Sequence, residues 1–173
     1  MEILKLYDIN HNYVESKDRA YIHSHLDKLY HDCVHIIVIS NQNKILLQKR
    51  SPFKNQHPNL WDLSVTGHVT ACDSLKVACK REMLEEIGID AIIDDFEELL
   101  VIRDDKNMEF LHLFLLSKRL DEKTNFIFED KEVSEVKFFD LKDFNKMFYS
   151  QEFSPYFEEY KKEVSKFVNE ILK

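Results

Sequence analysis

Glycine is nearly missing from this chain of 173 residues: only Gly67 and Gly88 are present, where average usage would supply about a dozen. A sequence this sparing keeps its glycines where a side chain cannot be tolerated, at positive φ or at a close backbone approach. Cysteine is also scarce. Cys33, Cys72 and Cys79 are odd in number and lack CxxC spacing, which reads as free thiols of a reducing cytoplasm rather than a disulfide framework or a zinc site. No apolar run approaches the length of a membrane span, and the start Met1-Glu2-Ile3-Leu4-Lys5 lacks the layout of a signal peptide. Positive charge is in deficit too, with a formal net charge of -8. That argues against a nucleic-acid partner, whose affinity rests on a basic stripe. An anionic substrate would then need metal cations to supply local positive charge.

What is present describes a soluble globular protein, because 44% hydrophobic and 32% charged residues suit a folded core. No linker or repeat divides the chain, so a single α+β domain over residues 1–173 is expected, cytoplasmic and without a membrane partner. Ile3–Tyr7 reads as an edge strand, followed by a polar loop and a helical turn around Asp18–Leu29. Val34–Ile39 and Lys44–Lys49 are β-type runs joined by Ser40-Asn41-Gln42-Asn43, a hairpin signal because asparagine tolerates turn geometry. Ser51–Asn59 is a loop, and Trp61–Thr66 alternates as a strand ending at Gly67. Leu99–Arg103 and Glu109–Ser117 form a second hairpin pattern, Glu135–Phe139 another strand, and Leu141–Phe148 a short helix. Ser154-Pro155 opens a terminal helix over about 154–172. Its aromatic and aliphatic residues at helical spacing suggest core or dimer contacts rather than a ligand box.

The chemistry concentrates between the two glycines. A helix over Ser74–Ile87 has Asp73 or Ser74 to cap its start and Gly88 to end it. On that helix Glu82, Glu85 and Glu86 share an arc of about 100°. Acidic runs on helices are ordinarily solvated surface. Here Leu75, Ala78, Cys79, Met83 and Ile87 interleave with the same arc, so the carboxylates share the side that packs inward. Like charges at that spacing repel, and a divalent cation relieves the repulsion; oxygen-only ligands favour magnesium or manganese over zinc.

Read with its flanks, the segment Gly67–Asp73, then seven residues, then Arg81-Glu82-Met83-Leu84-Glu85-Glu86-Ile87-Gly88-Ile89 resembles the Nudix signature G-x5-E-x7-R-E-U-x-E-E-x-G-U. The one departure is Asp73 where the family has glutamate. The resemblance covers about residues 33–140 and implies a mixed sheet sandwiched between helices. It implies Glu82 and Glu86 as principal metal ligands, Glu85 as a third, the Gly67 carbonyl as a backbone ligand, and Arg81 as the group that orients the glutamates. The shorter Asp73 would keep an outer hydrogen bond but lose a direct metal contact. The implied reaction is water attack on phosphorus of a nucleoside diphosphate derivative, dependent on Mg2+ or Mn2+. The general base is a motif glutamate or Glu109. Family members are often dimers, so a homodimer is possible.

Tyr30–His35, Leu47–Ser51, Pro58–Asp62 and Gly67-His68 look like the family members nearest isopentenyl-diphosphate isomerase. That likeness marks His31, His68 and Glu109 as a candidate second metal set, with His68 alternatively a substrate contact, and places Arg50 and Lys54 in a loop that can meet substrate phosphates. The isomerases have a catalytic cysteine immediately before the motif glycine. Thr66 stands there, and its hydroxyl is far too weak an acid to replace a thiol. Hydrolysis is therefore expected ahead of isomerisation, and ahead of a catalytically inactive nucleotide-binding module, because the glutamates are intact.

Overall fold

The computed structural model describes residues 2–24, 28–128 and 131–173. Along the chain run β1 (Ile3–Tyr7), β2 (Tyr13–Asp18), α1 (Arg19–Ser24), β3 (His31–Ser40), β4 (Ile45–Arg50), β5 (Trp61–Asp62), β6 (Val65–His68) and α2 (Leu75–Ile87). They are followed by β7 (Phe96–Asp104), β8 (Glu109–Leu120), β9 (Val133–Phe139), α3 (Leu141–Phe148) and α4 (Glu158–Ile171). Strand β2 is an addition to the expected pattern. The sequence Tyr-Val-Glu-Ser-Lys-Asp is mostly exposed and carries no buried-face alternation, so only its pairing with β1 defines it. Part of the expected helical turn, residues 25–27, lies outside the described residues.

Strand β3 organises the molecule. It pairs parallel with β8 and antiparallel with β6, while β8 pairs antiparallel with β7. Every residue of β3 is buried, and its alternate side chains serve two cores. Cys33, Ile37 and Ile39 face α3 and α4, packing with Phe144, Phe148, Phe153 and Tyr160. Val34, Ile36 and Val38 face α2, packing with Ala78, Met83 and Ile87. A strand covered on both faces reads as a continuous apolar run, and this one does. The result is the expected α/β/α arrangement. Removing the Phe148 ring, fully buried and stacked on Phe144 at 4.9 Å, would cost ~3–5 kcal/mol. Tyr160, Val164 and Val168 of α4 are spent in this same core.

The hairpin expected between β3 and β4 is real only at its base, where Ile39 pairs with Ile45 and Asn43 takes φ 56°. Beyond it the strands diverge, and β4 pairs instead with β5 and β9. The expected Trp61–Thr66 strand is accordingly split. Trp61 and Asp62 pair with β4, whereas Val65 to His68 pair with β3. At the crossing the Ser64 hydroxyl accepts from Val38 N (2.9 Å) and donates to the Leu46 carbonyl (2.6 Å). It thereby satisfies the backbone groups that the parting strands leave open.

Candidate active site around the α2 glutamates

Helix α2 is fixed at both ends. The Ser74 side chain caps the start by accepting from Val77 N, and Gly88 ends it at φ 72° and ψ 24° with N–H bonds to the last turn. A Cβ at Gly88 would lie 2.8 Å from Cβ of Ile127, so conformation and space both require glycine. Gly67 is required for a different reason. It lies in strand β6, where the Glu82 carboxylate sits directly on its Cα; a Cβ there would occupy the carboxylate's place. One glycine is therefore a close approach and the other a left-handed cap.

The three glutamates do not share one environment. Glu82 and Glu86 are buried, whereas Glu85 is exposed, which corrects the expectation of a common inward arc. Glu86 Oε2 accepts from Thr66 N (3.1 Å) and from Gln48 Nε2 (3.0 Å). Arg81 ties the motif together. Its guanidinium donates to Asp73 Oδ2 (3.0 Å), Glu82 Oε1 (2.7 Å), Glu85 Oε2 (3.0 Å) and the His68 carbonyl (2.8 Å). Asp73 thus keeps an outer hydrogen bond despite its shorter side chain. Burial pushes the Glu82 carboxyl up to about 7, although Arg81 opposes it. Glu86 is pushed well above the usual carboxylate range, first by burial and then by the charge of Glu82. Two buried carboxyls one helical turn apart, held by fixed donors and supplying only oxygen, suit a hard divalent cation. The Gly67 cradle keeps the Glu82 carboxylate against the strand that would share the ion.

Glu82 and Glu85 border a pocket of about 860 Å³ whose lining includes Arg50, Lys54, His68, Arg81 and Glu109. Its cations are already matched with acids: Lys54 with Glu132, Arg50 with Asp62 and Arg81 with Glu82. Arg50 also donates to the Gln56 carbonyl. Next to this motif His31, Cys33, His68 and Glu109 place one ligating atom each within 4.8 Å of the others. His31 Nδ1 lies 3.0 Å from the Met108 carbonyl. That oxygen can only accept, so the proton is on Nδ1 and Nε2 is turned toward Glu109, 3.8 Å away. His31 and His68 stack at 5.1 Å. Burial raises the Glu109 carboxyl to about 7.

Residues 67–88 were legible as a unit, but their supports were not. Gln48 fixes Glu86 from strand β4. Asp62 accepts from Arg50, Ser154 and Tyr156 and so joins the end of β4 to the chain's last segment. The Asp62 position was visible only as part of a flanking resemblance. Cys33 reaches the histidine cluster because it sits opposite His68 in the β3–β6 register, a pairing that no local spacing announces.

The family model described as the NUDIX domain matches residues 29–159. The prenyl-diphosphate phosphatase of Methanosarcina mazei is 30% identical over 142 residues, which cover 80% of this chain and 79% of that protein. Isopentenyl-diphosphate Delta-isomerase 2 of Photorhabdus laumondii is 36% identical over 89 residues, covering 51% of this chain and 49% of the isomerase. The crystal structure of DR0079 from Deinococcus radiodurans shares the fold with a TM-score of 0.74 at 20% identity, covering 99% of this chain and 100% of that one. Among the described residues no helix is long and apolar enough to cross a membrane. With Arg81, Glu82 and Glu85 lining the pocket and Glu86 buried beside them, these matches establish that the chain belongs to the Nudix family and is a Nudix hydrolase, an enzyme acting on pyrophosphate bonds.

Proposed function

We propose that this chain, acting as one Nudix domain, hydrolyses a diphosphate linkage in a nucleoside diphosphate derivative with Mg2+ or Mn2+. The observation that carries this reading is the Arg81 fork, which holds Asp73, Glu82, Glu85 and the His68 carbonyl around a glycine that makes room for a carboxylate. Glu82, Glu86, Glu85 and the Gly67 carbonyl would hold the cation. When bound, the cation supplies the positive charge the diphosphate requires and increases the acidity of an attacking water. Arg50 and Lys54 orient the phosphates by exchanging their present carboxylate partners for the substrate. Glu109, raised to about 7, accepts the water proton near neutral pH, where a base of that strength works best. His68 lines the pocket beside Glu82 and contacts substrate.

One observation favours a second reading, an isoprenoid diphosphate as substrate. The His31, Cys33, His68 and Glu109 cluster offers a second cation set, and the similar Methanosarcina protein is named for prenyl diphosphates. In that reading Glu109 is a ligand rather than the base. A metal-replete screen of nucleotide sugars, dinucleotides, nucleoside triphosphates and isoprenoid diphosphates separates the two. Release of a nucleoside monophosphate, lost in Glu86→Gln, supports the first reading. Turnover of isoprenoid diphosphates alone supports the second, and formation of dimethylallyl from isopentenyl diphosphate would replace both with isomerisation. Nucleotide affinity without turnover would leave a binding module.

A further inference from the structure

On the opposite face of β3, away from the pocket, lies a cluster that the hydrolytic site does not use. Side chains alternate along the strand, so Asp32 turns away from its neighbours His31 and Cys33. It meets His112 of β8 and His11 of the loop between β1 and β2. Asp32 Oδ1 is 2.8 Å from His11 Nε2 and 3.0 Å from His112 Nε2. The three ligating atoms lie within 4.8 Å of one another, and none of the three residues lines the pocket.

We propose that His11, Asp32 and His112 form a transition-metal site, with Zn2+ the ion of best fit, that pins the β1–β2 hairpin to the central sheet. Two features beyond proximity support it. His112 Nδ1 donates to Glu98 Oε1 at 2.8 Å, which fixes the ring so that Nε2, the donor to Asp32 Oδ1 in the ion-free protein, points into the cluster and ligates once an ion displaces its proton. A carboxylate behind the ring is how metal-ligating imidazoles are oriented and made more basic. His11 is also pre-set. Its φ is 62°, held by a turn in which His11 N donates to the Asp8 carbonyl and the Asp8 carboxylate accepts from Asn10 and Asn12 N. Its ring packs between Tyr7 and Phe110, with centroids 4.6 and 4.1 Å away. The exposed His11 leaves a path for an ion from solvent, while Asp32 and His112 are buried.

The donor set identifies the ion. Two imidazole nitrogens and one carboxylate oxygen suit a first-row ion such as Zn2+, with water or the Tyr7 hydroxyl beside Asp32 completing four ligands. A dication with two neutral imidazoles balances the charges of Asp32 and Glu98. The oxygen-only glutamates of α2 take a hard ion instead, so the two sites sort their metals by chemistry. Because Glu2 and Arg19, which flank the hairpin, line the pocket, a loaded site would also steady that wall.

The test titrates chelator-stripped protein with Zn2+, and separately with Co2+, in saturating Mg2+, following heat, absorption and thermal midpoint. One equivalent is expected, raising the midpoint. It should carry no thiolate-to-cobalt band, because no cysteine takes part; binding at the Cys33 cluster would show one. Affinity should fall about 10–100-fold in Glu98→Gln, which disturbs only the outer partner. It should fall further in His11→Ala, whose exposed loop position lets the variant fold, as circular dichroism would verify. His68→Ala should leave this equivalent unchanged. An equivalent that survives His11→Ala, disappears with His68→Ala or shows the thiolate band would overturn the proposal, as would no binding at all.

Discussion

Replacing Glu82 by glutamine should stabilise the metal-free protein at neutral pH while abolishing its activity. The Glu82 carboxyl moves from the 4.5 of an ordinary glutamate to about 7 on folding, with burial the largest cause. A raised carboxyl binds a proton more tightly in the folded state. Its charge therefore opposes folding progressively from pH 4.5 upward, and the full cost is reached above pH 7. At ~1.4 kcal/mol for each tenfold change this cost is about 3 kcal/mol, or roughly 6–12 °C of melting temperature for a chain of this size. Losing the charge of the Arg81 bond, which the glutamine carbonyl can still accept, reduces the gain only partly, because Arg81 retains Asp73, Glu85 and the His68 carbonyl. The assay is thermal unfolding of both proteins in EDTA from pH 4 to 8. Comparing them at each pH cancels His35, whose pKa is lowered to about 4 by burial and whose contribution has the opposite sign. The variant's advantage should vanish near pH 4.5, and Mg2+ should stabilise the wild type far more than the variant. A pH-independent difference, or a variant less stable at pH 8, would refute the reasoning.

Gly67→Ala should fold but bind Mg2+ about 10–100-fold more weakly by calorimetry, because its methyl group displaces the Glu82 carboxylate, a change in ligand orientation. Gly88→Ala should lower stability by more than ~1 kcal/mol in urea titration without touching the metal, since φ is 72° and Ile127 blocks the added carbon. Arg81→Lys retains the charge but cannot make four directed bonds; kcat should fall about 10–100-fold with KM less affected. Tyr160→Phe removes the 2.6 Å bond to buried His35 and should cost ~1–3 kcal/mol in the same urea titration.

How much of this was legible in the sequence depended on the range of the interactions. Helix α2 and its two caps are local, so Ser74, Gly88 and the inward residues between them were readable in one window. Glu85 was misjudged because a 100° arc is wider than the strip the core covers: Glu82 and Glu86 lie inside it and Glu85 at its edge. The split of Trp61–Thr66 was invisible because Leu63 and Ser64 cross between strands whose partners are distant in sequence. Strand β2 has no apolar face to announce it. The cluster of His11, Asp32 and His112 draws on three separate elements, and nothing in the spacing of those residues joins them.

The parallel pairing of β3 with β8 has a consequence for folding kinetics. It aligns His31 with Glu109 and Val34 with His112, residues separated by most of the chain's middle. Contacts this remote form only after a large loop-closure entropy has been overcome. The α2 motif can form early, as a capped helix whose glutamates are then fixed by β4 and β6, whereas Glu109 and the histidine clusters must await the zipping of these two strands. In refolding experiments, competence to bind a cation at the glutamates and at the histidines should therefore emerge in separate phases, with the histidines later.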